Sequence, residues 1–186
     1  MLRRSRAIGQ TRRFRRRCRG TTLIEVLVAL TLVAVVMLGV LGIQFRAMAL
    51  QKDSFDRRTA AVIVSDFGER VAGNFSGFEA GSYAMPLYVA GASGLSPPTC
   101  SGSCSPAQTA LRDLASLQQQ VSTRLAGGAA WVGTESLPGA PDALRWVRVV
   151  VGWIDPQRAG QAVDALCSGI GLTDDRYRCF EAKVYP

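Results

Sequence analysis

Gly20-Thr21-Thr22-Leu23-Ile24-Glu25 opens a stretch that continues as VLVALTLVAVVMLGVLGI to Ile43. From Val26 to Ile43 there are eighteen residues, and Thr31 alone among them has a polar side chain. As a helix this run is ~27 Å long, close to the hydrocarbon thickness of a bilayer. An arginine-rich segment precedes it. A carboxylate at the mouth of such a span is unusual. It costs roughly 2.5–3.5 kcal/mol at the centre of a membrane helix, and less near the interface, so Glu25 calls for a cationic partner. The plainer alternative is an interfacial acid favoured by the helix dipole.

The net charge of +8 is unevenly placed. Nine arginines (Arg3, Arg4, Arg6, Arg12, Arg13, Arg15, Arg16, Arg17 and Arg19) lie ahead of Gly20, where there is no acid. The remainder holds 13 basic and 14 acidic residues, a net of −1. Nucleic-acid binding needs a basic face on the folded domain, so no nucleic-acid partner is expected. Arginines before an apolar span instead hold the N-terminus on the cytoplasmic side. A secretory signal has an apolar core of 7–15 residues ending in a small-residue cleavage site. Here the apolar run is longer and has no such site near its end, so the span is expected to stay in the mature protein.

The Gly20–Glu25 hexapeptide resembles the class III signal of type IV pilins and pseudopilins, usually G-F-T-L-I-E. The resemblance implies that a membrane prepilin peptidase cuts between Gly20 and Thr21, that the Thr21 amine is methylated, and that Glu25 is the signature acid. Thr21 stands where Phe is usual, and the leader, residues 1–20, is longer than in many major pilins. The freed amine is a cation four residues from Glu25. A neighbouring subunit's amine is the better-aligned partner when helices stack.

Downstream, the helix is expected to continue through Gln44–Ala72. Phe55, Val62, Phe67 and Val71, with Ala60 and Ile63, supply an apolar face, and Gly73-Asn74 supplies a stop. This divides the first helix into a membrane and assembly half, 21–43, and an amphipathic half, 44–72, ahead of a periplasmic domain, 73–186. Residues 73–103 read as loop: fifteen of the 31 are Gly, Ser or Pro, with one short strand at Tyr83–Val89 interrupted by Pro86. Ser105-Pro106-Ala107-Gln108 is a helix start with a capping box, and the helix is expected over 105–126. Its stripe is Leu111, Leu114, Val121 and Leu125, with Gln118, Gln119, Gln120, Arg112 and Arg124 facing out or flanking. The sheet is expected over 129–186, with strands at Ala129–Gly133, Leu144–Ile154 and Arg178–Tyr185. Trp146 and Trp153 read as core or sheet-face residues. The fold class is α+β: a pilin-like long N-terminal helix packed on a C-terminal antiparallel sheet, with one additional helix.

Cys18 falls in the leader. Cys100, Cys104, Cys167 and Cys179 lie beyond the span, where an oxidising periplasm favours disulfides. Three connectivities are open, and the sequence-local pairing, Cys100–Cys104 and Cys167–Cys179, is favoured. The second pair would enclose a loop similar to the Cys-bounded loop of many pilins. The chain has no His, and its Cys spacings are not those of zinc knuckles, so no metal site is expected. Without His, a Ser-His or Cys-His dyad is impossible. Asp174-Asp175 reads as a solvated turn. Neither a cofactor nor enzymatic activity is expected.

The stretch from Cys104 to Gly128 resembles PilV-type minor pilins more closely than major pilins. The resemblance implies a minor pilin of the type IV pilus that primes or modifies assembly, with effects on adhesion and twitching. Its partners would be prepilin peptidase, other minor and major pilins, and the inner membrane, with a final place at the pilus tip or base. A minor pseudopilin of a type II secretion system is the nearest alternative. A single-pass periplasmic binding module is a more distant one.

Overall fold

A computed structural model describes residues 22–136 and 145–186. The chain divides into two compact units, residues 1–47 and 48–186, and the first helix, α1 (Leu23–Gly73), contributes to both. In the second unit α1 is followed by α2 (Phe75–Glu79), β1 (Met85–Val89), α3 (Pro106–Arg124), β2 (Ala129–Ser136), β3 (Arg145–Ile154), α4 (Ala165–Gly169) and β4 (Tyr177–Val184). The strands form one antiparallel sheet in the order β1-β2-β3-β4. The long helix packs on that sheet, giving the α+β, pilin-like architecture.

The core lies between the helices and one sheet face. Ala60, Ile63, Val64, Phe67 and Val71 of α1 meet Ala110, Leu114, Leu117 and Val121 of α3 and Val147, Val149, Val151 and Trp153 of β3. β3 alternates with the two-residue period of a strand. Val150, on the opposite face, joins Ala129, Cys167, Ile170, Leu172 and Tyr177 in a second, smaller cluster. That cluster caps part of the outer sheet face with the excursion between β3 and β4.

The buried face of α1 differs from the expected one. Phe55 and Val62 are exposed, at 66% and 59%, while Ala60, Ile63, Phe67 and Val71 point inward. Both sets recur at helical spacing, and only the position of the sheet selects between them. In α3, Leu111 is exposed and Leu117 takes its place in the core. Gln118, expected on the outer face, is buried because its amide has two partners: it accepts from Leu95 N at 2.6 Å and donates to Met85 Sδ at 3.1 Å.

The stretch 73–103 is more than loop, since it holds α2 and β1. β1 is an edge strand, which is where a proline is tolerated, and its register shifts between Met85 and Tyr88, around Pro86. β2 continues three residues beyond Gly133. A Cβ there would meet the Trp131 indole at 2.3 Å, so this glycine makes room for the ring and does not end the strand. α3 starts at Pro106 after the Ser105 cap and stops at Arg124, two residues short of the expected end. β3 is described from Arg145; Leu144, expected to begin it, lies outside the described residues. The last strand is displaced by one residue, Tyr177–Val184 in place of Arg178–Tyr185. Residues 129–186 are not all sheet, because a 3-10 turn (Pro156–Arg158) and α4 lie between β3 and β4.

Candidate processing and assembly site

α1 begins where the Thr22 carbonyl accepts the amides of Glu25, at 3.0 Å, and Val26, at 3.4 Å. This places Glu25 in the first turn with its side chain exposed, where the unpaired amides of a helix start favour a negative charge. Gly20 and Thr21, the expected cleavage pair, lie outside the described residues, as does the whole expected leader, residues 1–20.

From Val26 to Phe45 there is no ionisable residue, and Arg46 is the next charge. Twenty residues of helix span about 30 Å, enough to cross a bilayer's hydrocarbon core. Among the described residues, none in the apolar window of this helix is buried. Its one hydroxyl needs no outside partner, because Thr31 Oγ1 donates to the Val28 carbonyl at 2.8 Å. Gly39 and Gly42 have no atom within 4 Å of where a Cβ would stand, leaving two shallow places on an otherwise bulky surface. The helix therefore offers apolar side chains all round and a single acid at one end, which suits a bilayer or a bundle of like helices.

Residues 15–41 match the prokaryotic N-terminal methylation motif. This is a type IV prepilin-like N-terminus. The match covers the last arginines ahead of Gly20, the Gly20–Glu25 stretch and most of the apolar run, and a prepilin motif of this kind is the recognition site for prepilin peptidase and pilin assembly. Together with the apolar helix it fits membrane anchoring. No curated protein and no solved structure matches the chain.

In the second unit the structure joins Cys100 to Cys104 and Cys167 to Cys179, with Cα separations of 5.3 and 5.5 Å, inside the range a disulfide requires. Among the described residues, no three of His, Cys, Asp and Glu cluster as a metal ion would need. Asp174 lies in a turn, where it accepts from Arg176's amide and guanidinium. Arg176 pulls its carboxyl down to about 2. A cleft of about 570 Å³ lies beside α3, lined by Arg70, Tyr88, Leu95, Arg112, Asp113 and Gln118 among others.

Two polar groupings had no sequence signal. Tyr83 is fully buried; its hydroxyl donates to Asp113 Oδ2 at 2.7 Å and accepts from Asn74 Nδ2 at 3.0 Å. Burial and the neighbouring carboxylate push the phenol far above its ordinary range, so it stays a donor. Arg178 Nε lies 3.3 Å from Asp53 and 2.8 Å from Asp155, tying α1 to the end of the sheet. Their partners are 9 to 125 residues apart in sequence, beyond any helical or strand repeat. Both groupings hold elements together, and neither presents a free reactive group to a substrate.

Proposed function

We propose that the protein is a prepilin matured by cleavage between Gly20 and Thr21 and methylation of the Thr21 amine. It is then held in the inner membrane by residues 21–43, with the domain 73–186 in the periplasm. It assembles through its apolar helix as a minor pilin of PilV type, priming or modifying a type IV pilus. The observation that carries this reading is the methylation motif at residues 15–41, running straight into a helix whose apolar window is uncovered among the described residues. Glu25 then acts by charge. In the filament core it pairs with the Thr21 amine of a neighbouring subunit, which removes the cost of an apolar-embedded carboxylate and fixes axial register.

The test is incorporation. Sheared surface filaments from cells expressing the wild-type chain or Glu25→Ala would be probed for the protein by immunoblot. The account predicts that wild type enters the filament fraction and that Glu25→Ala remains in the membrane fraction at undiminished level. Normal entry of Glu25→Ala would refute the pairing role. A minor pseudopilin shares the same N-terminus, and it is the reading to adopt if the protein is absent from filaments and its loss blocks protein secretion.

A further inference from the structure

The two disulfides sit in unlike surroundings. Cys167 is fully buried in the outer-face cluster with Ile170, Leu172 and Tyr177, and Cys179 Sγ lies 3.4 Å from where a Cβ on Gly152 would stand. Cys100 and Cys104 are only partly covered, and the three residues between them, Ser101, Gly102 and Ser103, are exposed. Gly102 turns at φ +100° with open space around it. One cation attends this pair: Arg112 Nη1, on the second turn of α3, donates to Cys104 Sγ at 3.4 Å. Cys104 also directly precedes the Ser105 cap of α3. A guanidinium and a helix start both stabilise a thiolate relative to a thiol. A sulfur so placed is the better leaving group in thiol–disulfide exchange.

We infer that Cys100–Cys104 is a thiol–disulfide exchange site, opened selectively by a dithiol reductant while Cys167–Cys179 stays closed. An external thiolate attacks Cys100 Sγ. The sulfur–sulfur bond breaks and its electron pair leaves on Cys104 Sγ, where Arg112 donates to the new thiolate. The second thiol of the reductant, as its thiolate, then attacks the reductant sulfur of the mixed disulfide. Cys100 departs as a thiolate and takes a proton from water. Two electrons pass from the dithiol to the protein, and the dithiol becomes a disulfide.

Opening changes a defined piece of surface. Residues 90–104 form a strap whose Gly94, Leu95 and Pro97 line the cleft beside α3. One end of the strap continues from β1, and Gln118 holds its middle through the Leu95 amide. The disulfide closes its far end. Reduction leaves the strap held by the Ala90 amide on Gly128 O, by the Gln118 contact and by Leu95 against the core, so the exchange loosens the cleft wall near residues 96–104 without unfolding the domain.

The experiment uses the full chain in detergent. Thiols already free are blocked, the protein is titrated with dithiothreitol at fixed pH, and opened cysteines are trapped by alkylation and mapped by peptide mass spectrometry. Near-UV circular dichroism monitors the fold. The expected result is alkylation of Cys100 and Cys104 at a dithiothreitol concentration at least about ten-fold below that needed for Cys167 and Cys179, with an unchanged spectrum. Arg112→Gln is expected to slow opening by about three-fold or more, and Arg112→Lys to restore the rate. Opening of both pairs together, or of Cys167–Cys179 first, overturns the site. An unchanged rate in Arg112→Gln, or a lysine variant as slow as the glutamine one, overturns the assignment of Arg112.

Discussion

At the residue scale, hydrogen bonds to buried charge carry the most consequence. The Tyr83 hydroxyl donates to Asp113, which is itself 7% exposed, so removing it leaves a buried carboxylate short of a donor. Tyr83→Phe is expected to destabilise the domain by about 1.5–3 kcal/mol at neutral pH, read by urea unfolding in detergent. The phenol's pKa is raised in the folded state, chiefly by burial and then by Asp113. Its contribution is therefore complete below the unfolded value of about 10 and is lost as pH rises above it. The Tyr83→Phe deficit should narrow above pH 10. Asp66 and Asp155 have the opposite sign. Gln120 and then Arg70 hold Asp66 below the usual carboxylate range. Partial burial pushes Asp155 up, but the Arg178 guanidinium and the Gln157 amide together outweigh it and the net shift is down. Stability from both is present above the unfolded value, about pH 4, and is lost as pH falls through their lower folded values. The urea midpoint should drop on acidification from pH 5 to 3, and less steeply in Asp155→Asn.

At the element scale, the start of α3 was legible and its faces were only half so. Ser105 and Gln108 form the reciprocal cap that their three-residue spacing announces: Gln108 N donates to Ser105 Oγ and Ser105 N to Gln108 Oε1. Ser105→Ala should cost about 1 kcal/mol. A capping box is local chemistry, complete within four residues, and so it can be read without the fold. Gln118 could not be read, because what makes it a core residue is the Leu95 amide and Met85, 23 and 33 residues away. The same holds for α1, where Phe55 and Phe67 both fit the periodic pattern and only the sheet's position chooses Phe67. Phe67→Ala is therefore expected to cost about 3–5 kcal/mol, and Phe55→Ala to stay within about 0.5 kcal/mol, in urea unfolding of the purified chain. Gly128 closes α3 tightly against β2. A Cβ there would meet the Val121 carbonyl oxygen at 2.0 Å, which no rotamer change relieves.

At the scale of the whole molecule, the chain combines a helix whose apolar length fits membrane anchoring with a domain that holds its own core. The first was legible because an uninterrupted apolar run, an acid at its mouth and arginines before it are sequence facts that need no partner in space. The second was legible in its class and in the antiparallel sense of its strands, since helix-then-strands with β-branched runs favours that layering. The region between β3 and β4 was not: its α4 is five residues long and owes its place to Cys167 and the cluster it joins. Its disulfide spans a sequence separation of 12, and replacing both Cys167 and Cys179 by Ser should lower stability by about 3 kcal/mol.

The most direct test of the central claim is the N-terminus of the protein purified from membranes of cells with and without prepilin peptidase, determined by intact and peptide mass spectrometry. The account predicts a chain beginning at methylated Thr21 when the peptidase is present and a chain retaining residues 1–20 when it is absent. A chain still carrying residues 1–20 in peptidase-positive cells would contradict it, and the protein would then be an anchored domain outside the pilin assembly route.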